Sequence, residues 1–396
     1  MPKRRVAIFT GNRAEYGLLY PIIKAINEHP ALDGYLLVSG AHLDEDFGKT
    51  AAEIEKDGFK VYREIKIDMT QDTLFATAQA IGTGILSLSK ALAELKPDLL
   101  VVYADRFEGF SAVITGTQMG IPTAHIEGGD ITEGGALDDS VRHAMTKLAH
   151  LHFTTNEDAA RRIKAMGEED WRVFNVGFPA IDLISAGKYA SPEEIMTKYG
   201  LDTMKPLVLF TQHSVTTECE AAEKQLEPSL KALEAIAAEG AQVVVTYPNN
   251  DAGGRSIIAA IERWNQKKRA NVHVHRSLGR HNYHGILYWG GRGGGRAVCA
   301  GNSSSGIKET PALGCPAVNI GSRQKGRLRS TNVIDTDYDR DQIYAALKKA
   351  LYDDAFRKHS LVCENPYGVG DAGIKIAAKL AEAPLGPKLV QKRMMV

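Results

Sequence analysis

RRVAIFTGNRAEYGLLYPIIKAINEH, residues 4–29, opens on an apolar, β-rich run, breaks at Gly11, and continues with Leu18, Ile22, Ile23 and Ile26 at helical spacing. A short strand passing through a glycine turn into an amphipathic helix is the start of a βαβ unit. The unit recurs. GYLLVSG (34–40), PDLLVVYADR (97–106), IPTAHIEGG (121–129) and LHFTTN (151–156) are each followed by a helical pattern. Near-continuous apolar strands alternating with helices predict a parallel sheet covered on both faces.

The pattern pauses after VFNVGFPAIDLI (173–184). There the composition turns polar, and SPEEIMTKYG (191–200) carries a helix start at Ser191, with Pro192 first, Glu194 third and a stop at Gly200. It then restarts. KPLVLFTQHS (205–214), AQVVVTYPNN (241–250), RAVCAGNSSSG (296–306) and CPAVNIGSRQ (315–324) are the strands of a second half, with helices such as LEPSLKALEAIAAEG (226–240) between them. The expected fold class is α/β, with two Rossmann-like domains joined near residues 183–200. The first spans residues 1–185 and the second 186–370, and a C-terminal helix and tail, 371–396, pack back on the first.

Composition limits the partners. The 48 Lys and Arg residues balance 48 Asp and Glu, leaving no net field to hold a nucleic acid or an anionic membrane. The start of the chain has too few apolar residues before Gly11 for a secretory signal, and no later run approaches a membrane span. Cys219, Cys299, Cys315 and Cys363 are widely spaced and form no C-x-x-C, which disfavours structural zinc and a disulfide framework. These features predict a soluble cytoplasmic protein.

In doubly wound sheets ligands collect outside the carboxyl ends of the strands. The unusual polar clusters fall there: Asn12-Arg13, His42, Asp105-Arg106, Glu127, His213, Asn249-Asn250-Asp251, Ser303 to Ser305, and Arg323. HIEGGDITEGGALDDSVRH (125–143) sets Glu127, Asp130, Glu133, Asp138 and Asp139 among glycines, directly after a strand. Like charges held close are costly unless cations meet them or a reaction uses them. The bland alternative is a solvated acidic loop. Asp105, Glu127 and Asp138, with Arg13 and Arg142 as balancing cations, form a set able to act as acid and base on two faces of a sugar ring. The glycines are expected to let the chain pass close to that ring. No His, Cys and Asp cluster has metal-ligand spacing, so the expected mechanism uses no metal and no cofactor.

GNSSSGIKET (301–310) follows a strand and opens a helix, which would aim backbone N–H groups and three hydroxyls at an anion. It is not a P-loop, because Ile307 stands where the lysine should be. Glu309 lies one turn into that helix, placed to accept from a ribose hydroxyl. GSRQKGR brings Arg323 and Arg327 after the next strand, suited to a diphosphate. His213 ends the first strand of the second domain and would face the crevice between the halves, either as a hydrogen-bonded bystander or, facing a phosphate, as a proton donor to the leaving group.

Taken together, GNRAEYG, DRFEG, HIEGG, DDSVRHAMTKLAHLHF, VGFPAID, TQHSVT and GNSSSGIKE resemble the UDP-N-acetylglucosamine 2-epimerase family over nearly the whole chain. RAEYG after Gly11 is similar to the hydrolysing branch, which carries Ala where the other branch has Pro. The resemblance implies two GT-B-like domains with the active site in the cleft between them and the uridine diphosphate on the second. It implies conversion of UDP-GlcNAc and water to free N-acetylmannosamine and UDP, a step toward sialic or other nonulosonic acids. On that resemblance Asp105, Glu127 and Asp138 match the catalytic carboxylates, with Asp105 or Glu127 as base and Asp138 for the hydration step. Arg13, Arg142 and His213 match positions near the sugar and phosphates, Ser303, Ser304, Glu309 and Arg323 match nucleotide contacts, and His42, Asn249 and Tyr283 complete the substrate-binding set. The implied partners are a UDP-sugar and copies of the chain itself, as a homodimer or homotetramer.

Two departures from the family pattern bear on specificity. The spacer GGDITEGGAL between Glu127 and Asp138 is longer than in other hydrolysing members. The glycines from Gly290 to Gly295 read as a loop insertion close to where the nucleotide base should bind. UDP- or GDP-N,N'-diacetylbacillosamine is therefore the alternative substrate, for legionaminic acid synthesis. A GT-B glycosyltransferase and a nucleotide-sugar sensor are the alternatives of other classes.

Overall fold

β1 (Arg4–Thr10) is the strand that RRVAIFT predicts, and it sits third in a seven-stranded sheet. The other members are β2 (Leu32–Ser39), β3 (Val61–Ile65), β4 (Leu99–Tyr103), β5 (Thr123–Ile126), β6 (Leu151–Thr154) and β7 (Val173–Asn175). Their order is β3-β2-β1-β4-β5-β6-β7 and every pairing is parallel. The second sheet comprises β8 (Leu207–Thr211), β9 (Gln242–Thr246), β10 (Val272–His275), β11 (Ala297–Gly301), β12 (Ala317–Ile320) and β13 (Val333–Thr336). It is also all parallel, in the order β10-β9-β8-β11-β12-β13. In both sheets the order reverses beside the first strand, which opens the crevice where such folds bind ligands. The computed structural model describes residues 2–43, 51–67, 73–131, 137–248 and 253–395.

The chain divides into two units. Met1–Ile131, Leu137–Asp182 and Gly370–Val396 make the first, and Leu183–Val369 the body of the second. The last segment belongs with the first unit for identifiable reasons. Asp182 accepts the backbone N–H groups of Ala372 and Gly373 at 3.0 and 2.7 Å, fixing the start of the helix Ala372–Glu382. Ile376, Ala377 and Leu380 then enter the core with Ile22, Ile23 and Ile26 of the helix Arg13–Glu28. Beyond it, the fully buried Arg172 donates to the carbonyls of Lys388, Leu389 and Gln391.

The strands that apolar runs miss are β3, β7, β10 and β13. These are the four sheet edges. An edge strand pairs on one side only and keeps partly exposed residues, as VYREI, VFN, VHVH and VIDT do, whereas the inner strands β4, β5, β6, β8, β9, β11 and β12 are buried at every position.

The glycines from Gly290 to Gly295 also differ from expectation. They close the helix Gly279–Gly290 and turn directly into β11. A Cβ on Gly291 would lie 2.1 Å from the Leu313 carbonyl oxygen, and one on Gly295 would lie 2.1 Å from the Trp289 ring. Arg357 ties the turn by donating to the carbonyls of Gly290 and Gly295. The run is thus a packed turn at the amino end of β11, on the opposite rim from Ser303–Ser305. It is not beside a nucleotide at the carboxyl rim.

Candidate functional site

In the first unit the site grows from the carboxyl ends of β1, β4 and β5. Asn12 caps the helix after β1, its side chain accepting from the Glu15 backbone N–H at 3.0 Å, and the Glu15 carboxylate reaches back to the Gly11 N–H at 2.6 Å. This reciprocal cap draws Glu15 inside, beside the buried Glu108. Burial first, and then the charge of Glu108, push the Glu15 pKa up to about 8. Sequence reasoning passed over Glu15, although an Asn followed three residues later by Glu is a helix-start signal. His42 lies in the turn after β2, fully buried, with Nε2 3.0 Å from Thr10 Oγ1 and its ring edge-on to Tyr16. Burial lowers its pKa to about 4. The ring is thus packed inside the unit.

The first residue past β4 and the first past β5 are both left-handed without being glycine: Ala104 has φ +53° and Glu127 has φ +63°. Each such residue costs about 1–3 kcal/mol, and such strain concentrates where a side chain must be aimed. Asp105 follows Ala104 directly. Arg142, only 4% exposed, donates to Asp105, to Asp139 at 2.7 Å and to the Asp130 carbonyl at 2.9 Å. Burial works against its charge, but Asp105, Glu127, Asp130 and Asp139 outweigh it and hold the guanidinium above its ordinary pKa. The hydroxyl of Tyr103 donates to Glu127. Burial, and then the Glu127 charge, push that phenol well above its usual range. The structure therefore brings Asp105, Glu127 and Arg142 together and adds Tyr103, Asp130 and Asp139.

Asp138 differs from its neighbour in burial. It is exposed in the first turn of the helix Leu137–Leu148, while its neighbour Asp139 is buried and pairs with Arg142 one turn on. Gly128 and Gly129 also serve another purpose than the one expected. A Cβ on Gly128 would meet His125 Nδ1 at 2.8 Å and Thr146 Oγ1 at 2.9 Å, and one on Gly129 would meet the Ala159 carbonyl at 2.4 Å. They let the chain press against its own interior. Arg13 begins its helix, but its side chain lies outside the described residues, as do Asn249, Glu133, Gly134 and Gly135.

In the second unit His213, Tyr283, Ser303, Ser305 and Glu309 line one cavity of about 380 Å³, with Arg276 on its wall. His213 is held by its backbone, whose N–H and C=O both bond the Asn302 side chain, at 2.6 and 2.8 Å. Burial first, then Arg323, lower its pKa to about 3, so the imidazole is neutral. Tyr283 Oη is 2.8 Å from Ser305 Oγ, which in turn is 3.1 Å from Ser303 Oγ. Arg323 reaches the Asn302 carbonyl at 3.2 Å, and Arg327 donates to Gln324 at 2.8 Å. The helix after the serines is shorter than expected. Ser305–Lys308 is a single turn with Ser304 at its cap, and a second turn, Thr310–Leu313, starts beyond Glu309 because Pro311 has no N–H to continue the first. Glu309 therefore sits at the break, 2.8 Å from His284 Nε2. An anion at this loop would meet hydroxyls and amides with little help from a helix dipole. Asn302 and Arg276 had no signal beyond their places after β11 and β10.

No helix among the described residues is long and apolar enough to cross a membrane, and among them no group of three or more His, Cys, Asp or Glu side chains is placed to hold a metal ion.

A family model described as UDP-N-acetylglucosamine 2-epimerase matches residues 24–381. The chain is 34% identical to the GDP/UDP-N,N'-diacetylbacillosamine 2-epimerase (hydrolyzing) of Campylobacter jejuni, over 88% of each chain. It is 32% identical to the UDP-N,N'-diacetylbacillosamine 2-epimerase (hydrolyzing) of Legionella pneumophila, over 98% of each. Identity to the UDP-N-acetylglucosamine 2-epimerase of Neisseria meningitidis is 30%, over 88% of this chain and 87% of the other. The solved structure of a UDP-GlcNAc 2-epimerase from Neisseria meningitidis bound to UDP-GlcNAc matches the fold with a TM-score of 0.80 at 18% identity, covering 96% of this chain and 100% of that one.

Proposed function

The chain belongs to the UDP-N-acetylglucosamine 2-epimerase family, and from that premise we propose that it is a hydrolysing 2-epimerase of a UDP-linked 2-acetamido sugar, releasing the free 2-epimer and UDP. The observation that carries this reading is the group at the strained ends of β4 and β5, where Asp105 and Glu127 share the field of the buried Arg142. The cavity in the second unit supports a nucleoside diphosphate there, with Ser303 and Ser305 toward the phosphates and Glu309 toward the ribose. Ser304 and Arg323 would add to the phosphate contacts. The nucleotide half of the substrate is assigned to residues 186–370 and the sugar half to residues 1–185.

In an α-linked 2-acetamido sugar the C2 hydrogen and the C1 oxygen are axial on opposite faces. A carboxylate removes the C2 proton while the C1–O bond breaks and the diphosphate leaves, giving a glycal. Water then adds at C1, and a second acid protonates C2 from the other face. Arg142 holds Asp105 in place, and Tyr103, donating its one O–H to Glu127, orients that carboxylate. His213, neutral and at the phosphate end, is suited to meeting the departing diphosphate as a hydrogen-bond donor. Asp138, at the start of the helix that carries Arg142, is the proposed acid of the hydration step. The buried Glu15, carrying a proton at neutral pH, is the alternative acid in the same unit.

The sequence reading put UDP-GlcNAc first. The two relatives at 34% and 32% identity are named for diacetylbacillosamine nucleotides, and this favours a sugar with a second acetamido group. Proton NMR in D₂O with each nucleotide sugar tests the reading. The free 2-epimer deuterated at C2 together with UDP is the expected product, and an unchanged spectrum with both sugars would overturn it. Association with a second copy is supported by Phe75 and Leu86, 70% and 66% exposed on a helix stretch, residues 74–89, that carries no charge. A monomeric mass in solution would exclude it. A soluble cytoplasmic location is proposed on the same footing.

A further inference from the structure

His125 is wholly buried on β5, and its ring is bonded at both nitrogens. Nε2 lies 2.7 Å from the carbonyl oxygen of Ala104, and Nδ1 lies 3.2 Å from Thr146 Oγ1. A carbonyl only accepts, so Nε2 carries the hydrogen and Nδ1 accepts from the threonine hydroxyl. Burial first, with the charge of Arg142 adding to it, lowers its pKa to about 3 against the opposing pull of the Ala104 carbonyl. The ring is therefore a neutral crosslink with no proton to trade at working pH.

What it crosslinks is specific. Ala104 is the left-handed residue whose carbonyl direction sets where Asp105 begins. Thr146 lies one turn past Arg142 on the helix Leu137–Leu148. Glu127 is two residues beyond His125 itself. Gly128 is held without a Cβ by this same contact, since a methyl there would lie 2.8 Å from His125 Nδ1 and 2.9 Å from Thr146 Oγ1. Without the Nε2–H donor, the Ala104 carbonyl would be buried with one partner fewer and its strained φ would have less to hold it.

We infer that His125 is a positioning residue, which keeps Asp105, Glu127 and Arg142 in one geometry by tying the Ala104 carbonyl and the Thr146 hydroxyl to the strand that carries Glu127. This rests on the reading that those groups act on the sugar. A misplacement of a reacting group by about 1 Å costs about a hundredfold in rate.

The test compares three variants with the wild type. His125→Phe removes both bonds, His125→Gln keeps an N–H at about the reach of Nε2, and Thr146→Val removes only the second bond. The expected result for His125→Phe is a fall in kcat of about a hundredfold, with KM for the nucleotide sugar and affinity for UDP within about twofold of wild type. His125→Gln should regain about tenfold of that loss, and Thr146→Val should lower kcat severalfold. A His125→Gln variant no better than His125→Phe at unchanged UDP affinity, or a Thr146→Val variant with wild-type kcat, would overturn the inference. Should His125→Phe fail to fold, the other two variants decide. A separate measurement keeps the two readings distinct. If the wild-type protein releases UDP from neither sugar, the epimerase reading falls, and ¹⁵N spectra of the histidine rings judge the crosslink. One ring held as the neutral Nε2–H tautomer from about pH 5 to about pH 9, and altered by Thr146→Val, supports it; ordinary titration of every histidine near about 6.5 refutes it.

Discussion

Replacing Arg142 by methionine removes a guanidinium that meets Asp105, Asp139 and the Asp130 carbonyl. Methionine keeps much of the length and none of the charge. The side chain is 4% exposed, that of Asp139 9% and that of Asp105 21%. The pairing with Asp139 is thus lost in a more buried setting than that with Asp105, which retains some water. Truncating one partner of a buried ion pair costs about 3–5 kcal/mol, because the other partner stays behind without compensation. The same argument predicts a partial rescue. Asp139→Asn added to Arg142→Met removes the carboxylate charge that Arg142 met and should recover roughly 1–3 kcal/mol. Asp139→Asn alone should cost less than Arg142→Met, because Arg142 would keep Asp105. Hydrogen exchange of peptides from the first unit in rising urea reads these differences without assuming that both units unfold together. Turnover should stay lost in both Arg142→Met backgrounds, because the amide does not re-aim Asp105. An Arg142→Met protein within about 1 kcal/mol of wild type, or further destabilised by Asp139→Asn, would refute the reasoning.

Glu127→Gln should retain UDP binding by calorimetry and lose turnover by about a hundredfold or more, whereas full activity would remove Glu127 from the chemistry. Glu15 titrates at about 8 in the folded unit against about 4.5 unfolded, so between those values the unfolded chain binds fewer protons and stability falls as pH rises, by up to about 1.4 kcal/mol per pH unit. Relative to wild type, Glu15→Gln should therefore gain melting temperature steadily as pH rises from about 5 to about 8, and a difference that does not change with pH would count against the buried proton. His42, His125, His150 and His213 have the opposite sign. With folded pKa values of about 4, 3, 4 and 3, they take up protons in the unfolded chain first, so stability should drop as pH falls below about 6.5, and urea midpoints level from pH 7 to pH 5 would contradict this. Deleting the chain after Pro384 would strand the buried Arg172 without the carbonyls of Lys388, Leu389 and Gln391, and should lower the melting temperature of the first unit by several degrees.

The inner strands were legible because burial on both faces writes itself as an apolar run, and the crevice was legible because it lies where those runs end. The edge strands β3, β7, β10 and β13 were not, since one free side leaves a mixed composition that also suits a loop. The glycine run before β11 misled for a related reason. Glycine marks both an open loop and a close approach, and only the positions of Leu313, Trp289 and Arg357 tell them apart.

Within the site, residue type could be read but phase could not. Asp138 and Asp139 are both within one helical turn of Arg142 and flank the face that carries Arg142, Met145 and Thr146 about equally, so spacing alone does not tell that Asp139 is the one buried and Asp138 the one left exposed. That face carries a charge and a hydroxyl, so an apolar periodicity rule cannot see it. Glu15 and His125 were overlooked for the same reason, since a Glu in a helix start and a His in a strand read as ordinary until their burial is known. Polar groups drawn inward are paired almost without exception, so each one found buried points to the next. Following His125 leads to Ala104 and Thr146, and following Arg142 leads to Asp105 and Asp139. The site is therefore better defined by its buried polar connections than by the number of its carboxylates, and a substitution that cuts a connection should cost more than one that removes a charge from its rim.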